Sequence, residues 1–179
     1  IERAILAGDK KSGVCVMEVG EEFDVGGVFA REEVPILDRD SADSLRSRLI
    51  ETGSKLLVSV LDKGLGEPTP QSGEVVWAEK VMPQEREIMW DLEAEAIDRL
   101  VRIGGAWTTF RGERLKIWAC EPNMQEIQGQ PGQLIGDQVV TGNGALKLTE
   151  VQSQNRARQS FESWQLGARL EKNCVFGDD

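Results

Sequence analysis

Apolar residues recur along this chain with the period of a helix in one long segment and in strand-like runs elsewhere. A stripe at spacings of four and seven residues predicts a helix that packs one side on a sheet, and it is formed by Leu45, Leu49, Leu56 and Val60. Asp40 or Ser41 can cap this helix, which we expect to end near Leu61. Runs rich in β-branched residues at 14–19 and 28–36 predict two strands before it. The first part of the chain is therefore expected to be α/β.

The second part of the chain has a different pattern. Residues 62–73 contain three Gly and two Pro, a composition typical of a linker between domains. A short helix at 92–102 follows, and short strands joined by glycine turns then predict a small β-barrel, with strands at 107–110, 114–119, 133–135, 138–141 and 145–148. We therefore divide the chain into residues 1–62, a linker at 63–78 and a barrel domain at 79–179.

The composition limits which kinds of catalytic and metal-binding site this chain can contain. The 179 residues include no histidine, which excludes from this chain both a Ser/His/Asp triad and a zinc site of the Cys/His type. The thiols of Cys15, Cys120 and Cys174 are too far apart in sequence for a metal knuckle, and we expect free, buried cysteines in a reducing cytoplasm. No apolar run approaches the ~20 residues of a membrane span.

Asp24 is the first candidate for a catalytic or ligand-binding residue. It lies on a glycine-flanked loop after a predicted strand, and α/β sheets present ligand-binding groups at the carboxyl ends of their strands. The alternative is that Asp24 is a solvated turn residue, because aspartate is common in turns whatever their function.

A basic and aromatic strand face is the second candidate. Arg114, Lys116 and Trp118 alternate with Leu115, Ile117 and Ala119, and Arg111 lies at the tip of the same hairpin. Such a face can hold a phosphate backbone while the ring stacks or packs at the edge. A half-exposed strand would show the same alternation without any ligand. Because residues 80–179 carry 12 basic and 15 acidic side chains, nucleic-acid binding would depend on a local patch.

Several segments, in order, resemble the methionyl-tRNA formyltransferase family. The resemblance covers essentially the whole chain, and the matching segments are Arg3-Ala4-Ile5, Ala7-Gly8-Asp9, Gly13-Val14 to Met17, Phe23-Asp24-Val25-Gly26, Trp77-Ala78-Glu79-Lys80, Ile88 with Trp90, and Trp107 to Lys116. It implies the later part of a Rossmann-like formyltransferase domain, a linker and an OB-like barrel. It also implies transfer of a formyl group from 10-formyltetrahydrofolate to the α-amine of methionyl initiator tRNA, without a metal.

The resemblance also assigns residues. Asp24 matches the catalytic aspartate of the family, and the loop before it matches the segment that lines the pterin pocket, which here comprises Val19, Gly20, Glu21, Glu22 and Phe23. Lys80 matches a lysine close to the tRNA acceptor end, although a solvated surface lysine is an equal reading. The barrel face adds Arg111, Arg114, Lys116 and Trp118 as tRNA contacts. We expect a cytoplasmic monomer with no membrane or protein partner.

The family pairs its aspartate with an asparagine and a histidine, and this chain has neither in the matching place. We therefore expect an amino-terminally truncated piece that does not catalyse by itself. Two other functions stay open. One is a formyltransferase acting on an amino sugar nucleotide, or a relative that hydrolyses formyltetrahydrofolate. The other is a non-catalytic barrel that binds RNA.

Overall fold

Two helices and a two-stranded sheet make up the first of two units in the computed structural model, which describes residues 1–22, 24–74, 76–171 and 174–177. This unit extends over Ile1–Lys80, and the second extends over Val81–Asp179. The elements of the first unit are α1 (Glu2–Ala7), β1 (Lys11–Met17), β2 (Val28–Pro35) and α2 (Ala42–Lys63). The two strands are antiparallel, with Lys11 opposite Pro35 and Val16 opposite Ala30.

Helix α2 packs on the sheet through its amino-terminal half. Leu45 and Leu49 of the predicted stripe are buried, whereas Leu56 and Val60 are only half-buried. A second set of apolar side chains along the helix is exposed, namely Ile50, Leu57, Val58 and Leu61. The helix thus buries one side near its start and presents apolar surface along its second half.

A polar cluster fixes the start of α2. Ser41 is the N-cap, and its hydroxyl accepts a hydrogen bond from the Ser44 amide at 3.1 Å. Asp40 is 4% exposed and accepts hydrogen bonds from the Arg48 guanidinium, the Leu37 amide and the Ser44 hydroxyl. The bond from Arg48 holds the pKa of the Asp40 carboxyl well below its ordinary value. Both expected capping residues therefore act here, in different ways.

The second unit is built around an antiparallel sheet. Its strands are β3 (Trp107–Phe110), β4 (Glu113–Asn123), β5 (Leu134–Ile135), β6 (Gln138–Val140), β7 (Ala145–Ser153) and β8 (Gln159–Ser160). They lie in the order β3-β4-β7-β6-β5, and β8 pairs with β7. A 3₁₀ turn at Pro83–Arg86 precedes α3 (Ala94–Arg102), and α4 (Phe161–Ala168) follows β8.

Residues 174–177 connect the two outer strands of this sheet. The Leu134 amide donates to the Cys174 carbonyl at 2.9 Å, and the Gly177 amide donates to the Thr109 carbonyl at 2.9 Å. Phe176 lies between these bonds, 2% exposed, with its ring centroid 5.6 Å from that of Phe110 and 6.1 Å from that of Trp90. The sheet is therefore curled around an aromatic core and joined along one seam by a short segment.

Some sequence expectations need correction. The first strand runs over residues 11–17 rather than 14–19, so Glu18 and Val19 belong to the loop. The alternation along β4 stops after Ile117, because register shifts on both sides of Ala119 leave Ala119 half-buried and bury Cys120. Cys15 is exposed and Cys174 is half-buried, so of the three thiols expected to be buried only that of Cys120 is.

Candidate functional site

Asp24 lies in the connection between β1 and β2 and has a left-handed backbone with φ 60°. The residue is exposed, and its carboxylate makes no hydrogen bond or ion pair to any residue that the structure describes. Aspartate adopts this conformation more readily than most non-glycine residues, so the backbone here fits a turn residue as well as a functional one. The structure therefore places the candidate carboxylate at the surface of the first unit, where partners for it would have to come from elsewhere.

The loop before Asp24 presents its backbone to solvent. Residues 18–22 are all exposed, with Val19 95% exposed, and Phe23 lies outside the described residues. Glu18 donates its amide to the Gly27 carbonyl at 2.8 Å, which closes the loop. Within the described residues, the backbone groups of Val19, Gly20, Glu21 and Glu22 form no hydrogen bonds with other backbone groups. They are available to a ligand with donors and acceptors of its own.

Gln71 holds this loop from the linker, and sequence reasoning missed it. Its side-chain amide donates to the carbonyls of Asp24 at 2.7 Å and Gly26 at 2.8 Å. The neighbouring linker residue Thr69 forms a two-way backbone bridge with Val28, the first residue of β2. Gln71 lies within the predicted linker, and the composition of a linker does not indicate a contact with Asp24, 47 residues earlier in the chain.

Lys80 ends the first unit. The carbonyls of Glu79 and Lys80 accept hydrogen bonds from the Arg3 side chain of α1, at 2.9 and 3.3 Å. The Lys80 side chain is exposed, and no described carboxylate lies within ion-pair distance of its ammonium group. The backbone of the linker end is thus anchored while its lysine extends into solvent.

The structure brings Arg114, Lys116 and Trp118 together on one face of β4. The Arg114 guanidinium lies over the Trp107 ring of β3 at 3.9 Å from the centroid. Arg158, which sequence reasoning did not single out, lies over the Trp118 ring at 3.5 Å, and the Lys116 ammonium is 5.9 Å from the same ring. Planar guanidinium groups stack on indoles in this way and keep their in-plane N–H donors available.

Arg111 does not join this face. Arg111 and Gly112 both have positive φ, at 51° and 73°, and form the two-residue turn between β3 and β4. The Arg111 guanidinium donates to the carbonyls of Ala168 at 3.0 Å and Arg169 at 3.2 Å, at the end of α4. Its contacts within the second unit thus tie the hairpin tip to a helix end.

A groove of about 620 Å³ lies along the basic face. Its described lining contains Arg114 and Lys116 but no carboxylate, and the remaining members are Trp107, Thr109, Gly112, Gln152, Ser153, Gln154 and Asn155. No described carboxylate is within 4.0 Å of Arg114 or Lys116, although the chain as a whole has net charge −10. The groove is therefore a local cationic and polar surface on an acidic chain.

Metal binding and membrane insertion find no structural support in the described ranges. No group of three or more His, Cys, Asp or Glu side chains there is placed to hold an ion. Among these same residues, no helix is both long and apolar enough to cross a bilayer.

Both parts of the chain match formyl transferase family models. Residues 80–169 match the family model of the formyl transferase C-terminal domain, and residues 1–61 match the formyl transferase model. A methionyl-tRNA formyltransferase of Roseobacter denitrificans is 37% identical over 98% of this chain and 60% of its own length. One from Thermobifida fusca is 34% identical over 100% of this chain and 62% of its own length. The chain thus spans about three fifths of these relatives.

Solved structures share the fold at low sequence identity. HypX from Aquifex aeolicus, solved in complex with tetrahydrofolic acid, has a TM-score of 0.70 at 22% identity and covers 92% of this chain and 31% of its own. Methionyl-tRNA formyltransferase from Clostridium thermocellum has a TM-score of 0.56 at 21% identity and covers 72% of this chain and 57% of its own.

Proposed function

The chain belongs to the formyl transferase family, and we propose that the protein it represents transfers a formyl group from 10-formyltetrahydrofolate to the α-amine of methionyl initiator tRNA. The observation that carries this proposal is the 34–37% identity, over nearly the whole chain, to proteins named methionyl-tRNA formyltransferase. Because the chain spans about three fifths of those proteins, the reaction, its formyl donor and its tRNA substrate are all proposed for the complete enzyme.

The reaction sets requirements that the residues of the first unit can meet only in part. The neutral amine attacks the formyl carbon to give a tetrahedral oxyanion and then loses a proton. As the oxyanion collapses to the new amide, the C–N10 bond breaks and N10 takes up a proton, so that it leaves as the secondary amine of tetrahydrofolate. We assign to Asp24 the role of orienting and stabilising the group that takes this proton. Since this chain contains no histidine, an imidazole partner for Asp24 has to come from residues outside this sequence.

The exposed loop before Asp24 suits the pterin part of the donor. A pterin carries several hydrogen-bond donors and acceptors, and the backbone groups of residues 19–22, which bond to no other backbone group that the structure describes, offer complementary partners. Recognition through backbone groups would explain why a Val, a Gly and two Glu can occupy this segment. We therefore keep Val19, Gly20, Glu21, Glu22 and Phe23 as the proposed donor-binding segment, and only the first four are supported by described geometry.

We propose the same domain limits as above, with residues 1–62 in the catalytic domain, 63–78 in the linker and 79–179 in the tRNA-binding domain. The two family matches end at residue 61 and begin at residue 80, which supports a linker between them. The finer assignments, a Rossmann-like first domain and an OB-like barrel, are consistent with a strand pair packed on a helix and with a curled antiparallel sheet. A cytoplasmic monomer stays a prediction.

The proposed tRNA contacts fall into three groups. Lys80 offers an exposed ammonium at the end of the linker, with no carboxylate of the described residues in ion-pair distance. Arg114, Lys116 and Trp118 lie together on the β4 face. Arg111 would have to exchange or share its bonds to the α4 carbonyls to bind RNA, which makes it the least favoured contact of the set.

The test joins this chain to an upstream formyltransferase segment that supplies the asparagine and histidine, and measures formylation of methionyl-tRNA. We expect activity, and we expect Asp24→Asn to reduce kcat by at least about 100-fold, as for loss of a group in proton transfer. Asp38→Asn is the matched control, because Asp38 is also exposed and without a described partner. A folded chimaera that is inactive, or equally active with Asp24→Asn, would refute the proposal.

The alternatives predict different results from the same chimaera. An amino sugar nucleotide formyltransferase would formylate an amino sugar nucleotide and leave methionyl-tRNA unchanged. A non-catalytic RNA-binding barrel would bind tRNA without turnover of any formyl donor. Sequence identity favours methionyl-tRNA, since an N-formyltransferase from Helicobacter canadensis solved in complex with folinic acid and dTDP-3-aminofucose is only 15% identical to this chain.

A further inference from the structure

Residues 68–71 of the linker form a strap across the start of β2. The Thr69 amide donates to the Val28 carbonyl at 2.9 Å, and the Thr69 carbonyl accepts from the Val28 amide at 2.8 Å. Pro68 and Pro70 flank Thr69. A proline fixes its own φ and confines the residue before it to extended backbone. The strap is therefore a stiff, paired segment of the first unit and not a free tether.

The strap places the Gln71 side chain against the Asp24 loop, residues 18–27. The Nε2 atom of Gln71 donates to the Asp24 carbonyl at 2.7 Å and to the Gly26 carbonyl at 2.8 Å. A side-chain amide has two N–H donors, so this one group joins two carbonyls that lie two residues apart. The linker thus crosslinks the loop at the residue that carries the candidate carboxylate.

The backbone decides where the Asp24 carboxylate points, because that carboxylate is exposed and has no partner of its own among the described residues. A bond to the Asp24 carbonyl fixes the planar peptide group between Asp24 and Val25. The bond to the Gly26 carbonyl fixes the peptide group that follows Gly26. Since the direction of a Cα–Cβ bond follows from the peptide groups that flank it, loss of these bonds would release the direction of the carboxylate.

We propose that Gln71 is a positioning residue for formyl transfer, which fixes the main chain at Asp24 so that the carboxylate points at the group that takes the proton. The inference rests on the proposed function for the role of Asp24. A misplacement of a catalytic group by about 1 Å can slow a reaction by about 100-fold, so a residue that acts only through Asp24 can still limit turnover. The linker accordingly belongs to the catalytic site as well as connecting the two units.

The first test measures formylation of methionyl-tRNA by the chimaera described above. Gln71→Met keeps an unbranched side chain of similar length without an N–H donor, so kcat should fall roughly 10- to 100-fold while KM for methionyl-tRNA stays within about twofold. Gln71→Lys supplies N–H donors again and should bring kcat back to within about fivefold of the wild-type value. Gln84→Met is the matched control, because Gln84 is exposed and its side chain has no hydrogen-bond partner among the described residues.

A double-mutant cycle separates positioning from a merely structural role. In the Asp24→Asn background the carboxylate to be positioned is already absent, so Gln71→Met should change the residual kcat by less than about twofold. A general loss of folded enzyme would instead lower kcat by the same factor in both backgrounds.

Backbone order in the full chain gives a readout that does not depend on turnover. Relaxation of ¹⁵N spins reports the order parameter of the Asp24 amide. We expect Gln71→Met to lower it from the range of rigid backbone, about 0.85, toward that of flexible backbone, below about 0.6, and Gln84→Met to leave it unchanged.

Three results would overturn the inference: a wild-type kcat in Gln71→Met, an equal loss of kcat in both backgrounds, or an unchanged order parameter of the Asp24 amide. A wild-type chimaera that does not formylate methionyl-tRNA would refute the proposed function instead. In that case the order parameter still decides, since a rigid Asp24 in Gln71→Met would overturn the positioning role and a mobile one would support it.

Discussion

Removal of the Gln71 side chain should loosen the loop that carries Asp24. The Gln71 amide group donates to the carbonyls of Asp24 and Gly26, at 2.7 and 2.8 Å. A neutral hydrogen bond contributes about 0.5–1.5 kcal/mol net, and both bonds lie at or near the surface, so we expect Gln71→Ala to cost the closed loop about 1–2 kcal/mol. At 1.4 kcal/mol per tenfold change, opening of the loop becomes roughly 5- to 30-fold more frequent.

Hydrogen–deuterium exchange of the isolated chain measures this opening. The reporter is the Glu18 amide, which is bonded to the Gly27 carbonyl at 2.8 Å and closes the loop. Its exchange should accelerate by the factor just derived, since local opening limits exchange of such amides. Gln84→Ala is the control, because Gln84 is also exposed and its side chain has no hydrogen-bond partner among the described residues.

Gln71→Glu sharpens the test. An ionised glutamate has nearly the shape of glutamine but no N–H to donate, and it would place a charge beside two carbonyl oxygens. We expect it to accelerate exchange at least as much as Gln71→Ala does. Wild-type exchange in Gln71→Glu would refute the hydrogen-bond argument, even if Gln71→Ala showed an effect. In the active chimaera, both changes should lower kcat with little change in KM for tRNA.

Three other predictions concern stability. Because its pKa is depressed in the folded state, Asp40 stabilises the first unit above its unfolded pKa of about 4, and this contribution is lost as the pH falls below that value. Asp40→Asn should lower the free energy of unfolding by about 2 kcal/mol at neutral pH and make it depend less on pH below about 4. Urea unfolding measured at a series of acidic pH values checks both effects, and an unchanged pH dependence would contradict this role of Asp40. Gly26→Ala should displace the Asp24 loop and destabilise its closed form by about 1–3 kcal/mol, because the added Cβ would lie 1.9 Å from the Glu18 carbonyl oxygen. Unaltered hydrogen–deuterium exchange of the Glu18 amide would count against this close approach. Ile117→Ala, at a position with 0% exposure, should destabilise the second unit by about 2–5 kcal/mol in thermal unfolding, whereas Lys116→Ala should change it by less than about 0.5 kcal/mol.

The local elements could be predicted because their signals lie within a few residues of one another. Ser41 and the leucine stripe after it specify α2, and Gly112 in the β3–β4 turn specifies a hairpin whose first strand and turn were placed within a residue, although β4 continues to Asn123, four residues beyond its predicted end. The end of β4 could not be predicted in the same way. Register shifts near Ala119 depend on how β4 pairs with β7, about thirty residues away, and they decide that Cys120 rather than Ala119 is buried.

The residues of the candidate site likewise separate into those that local sequence patterns predict and those that they do not. Asp24 and the alternating Arg114 and Lys116 are visible in the sequence, because a glycine-flanked acid and a two-residue period are local patterns. The charge balance and the absence of histidine were likewise determined by composition alone.

Only the tertiary structure decided which distant groups meet. Gln71 reaches the carbonyl of Asp24 across 47 positions of chain, Arg158 covers the ring of Trp118, and residues 174–177 bridge Thr109 and Leu134. Each of these contacts depends on the path of the chain between its members, and a side chain by itself does not encode its distant partner. The sequence by itself thus determined the local elements and the candidate groups, and folding decided how those groups are held, since hydrogen bonds and stacked pairs form only between groups that the chain path brings within a few ångströms.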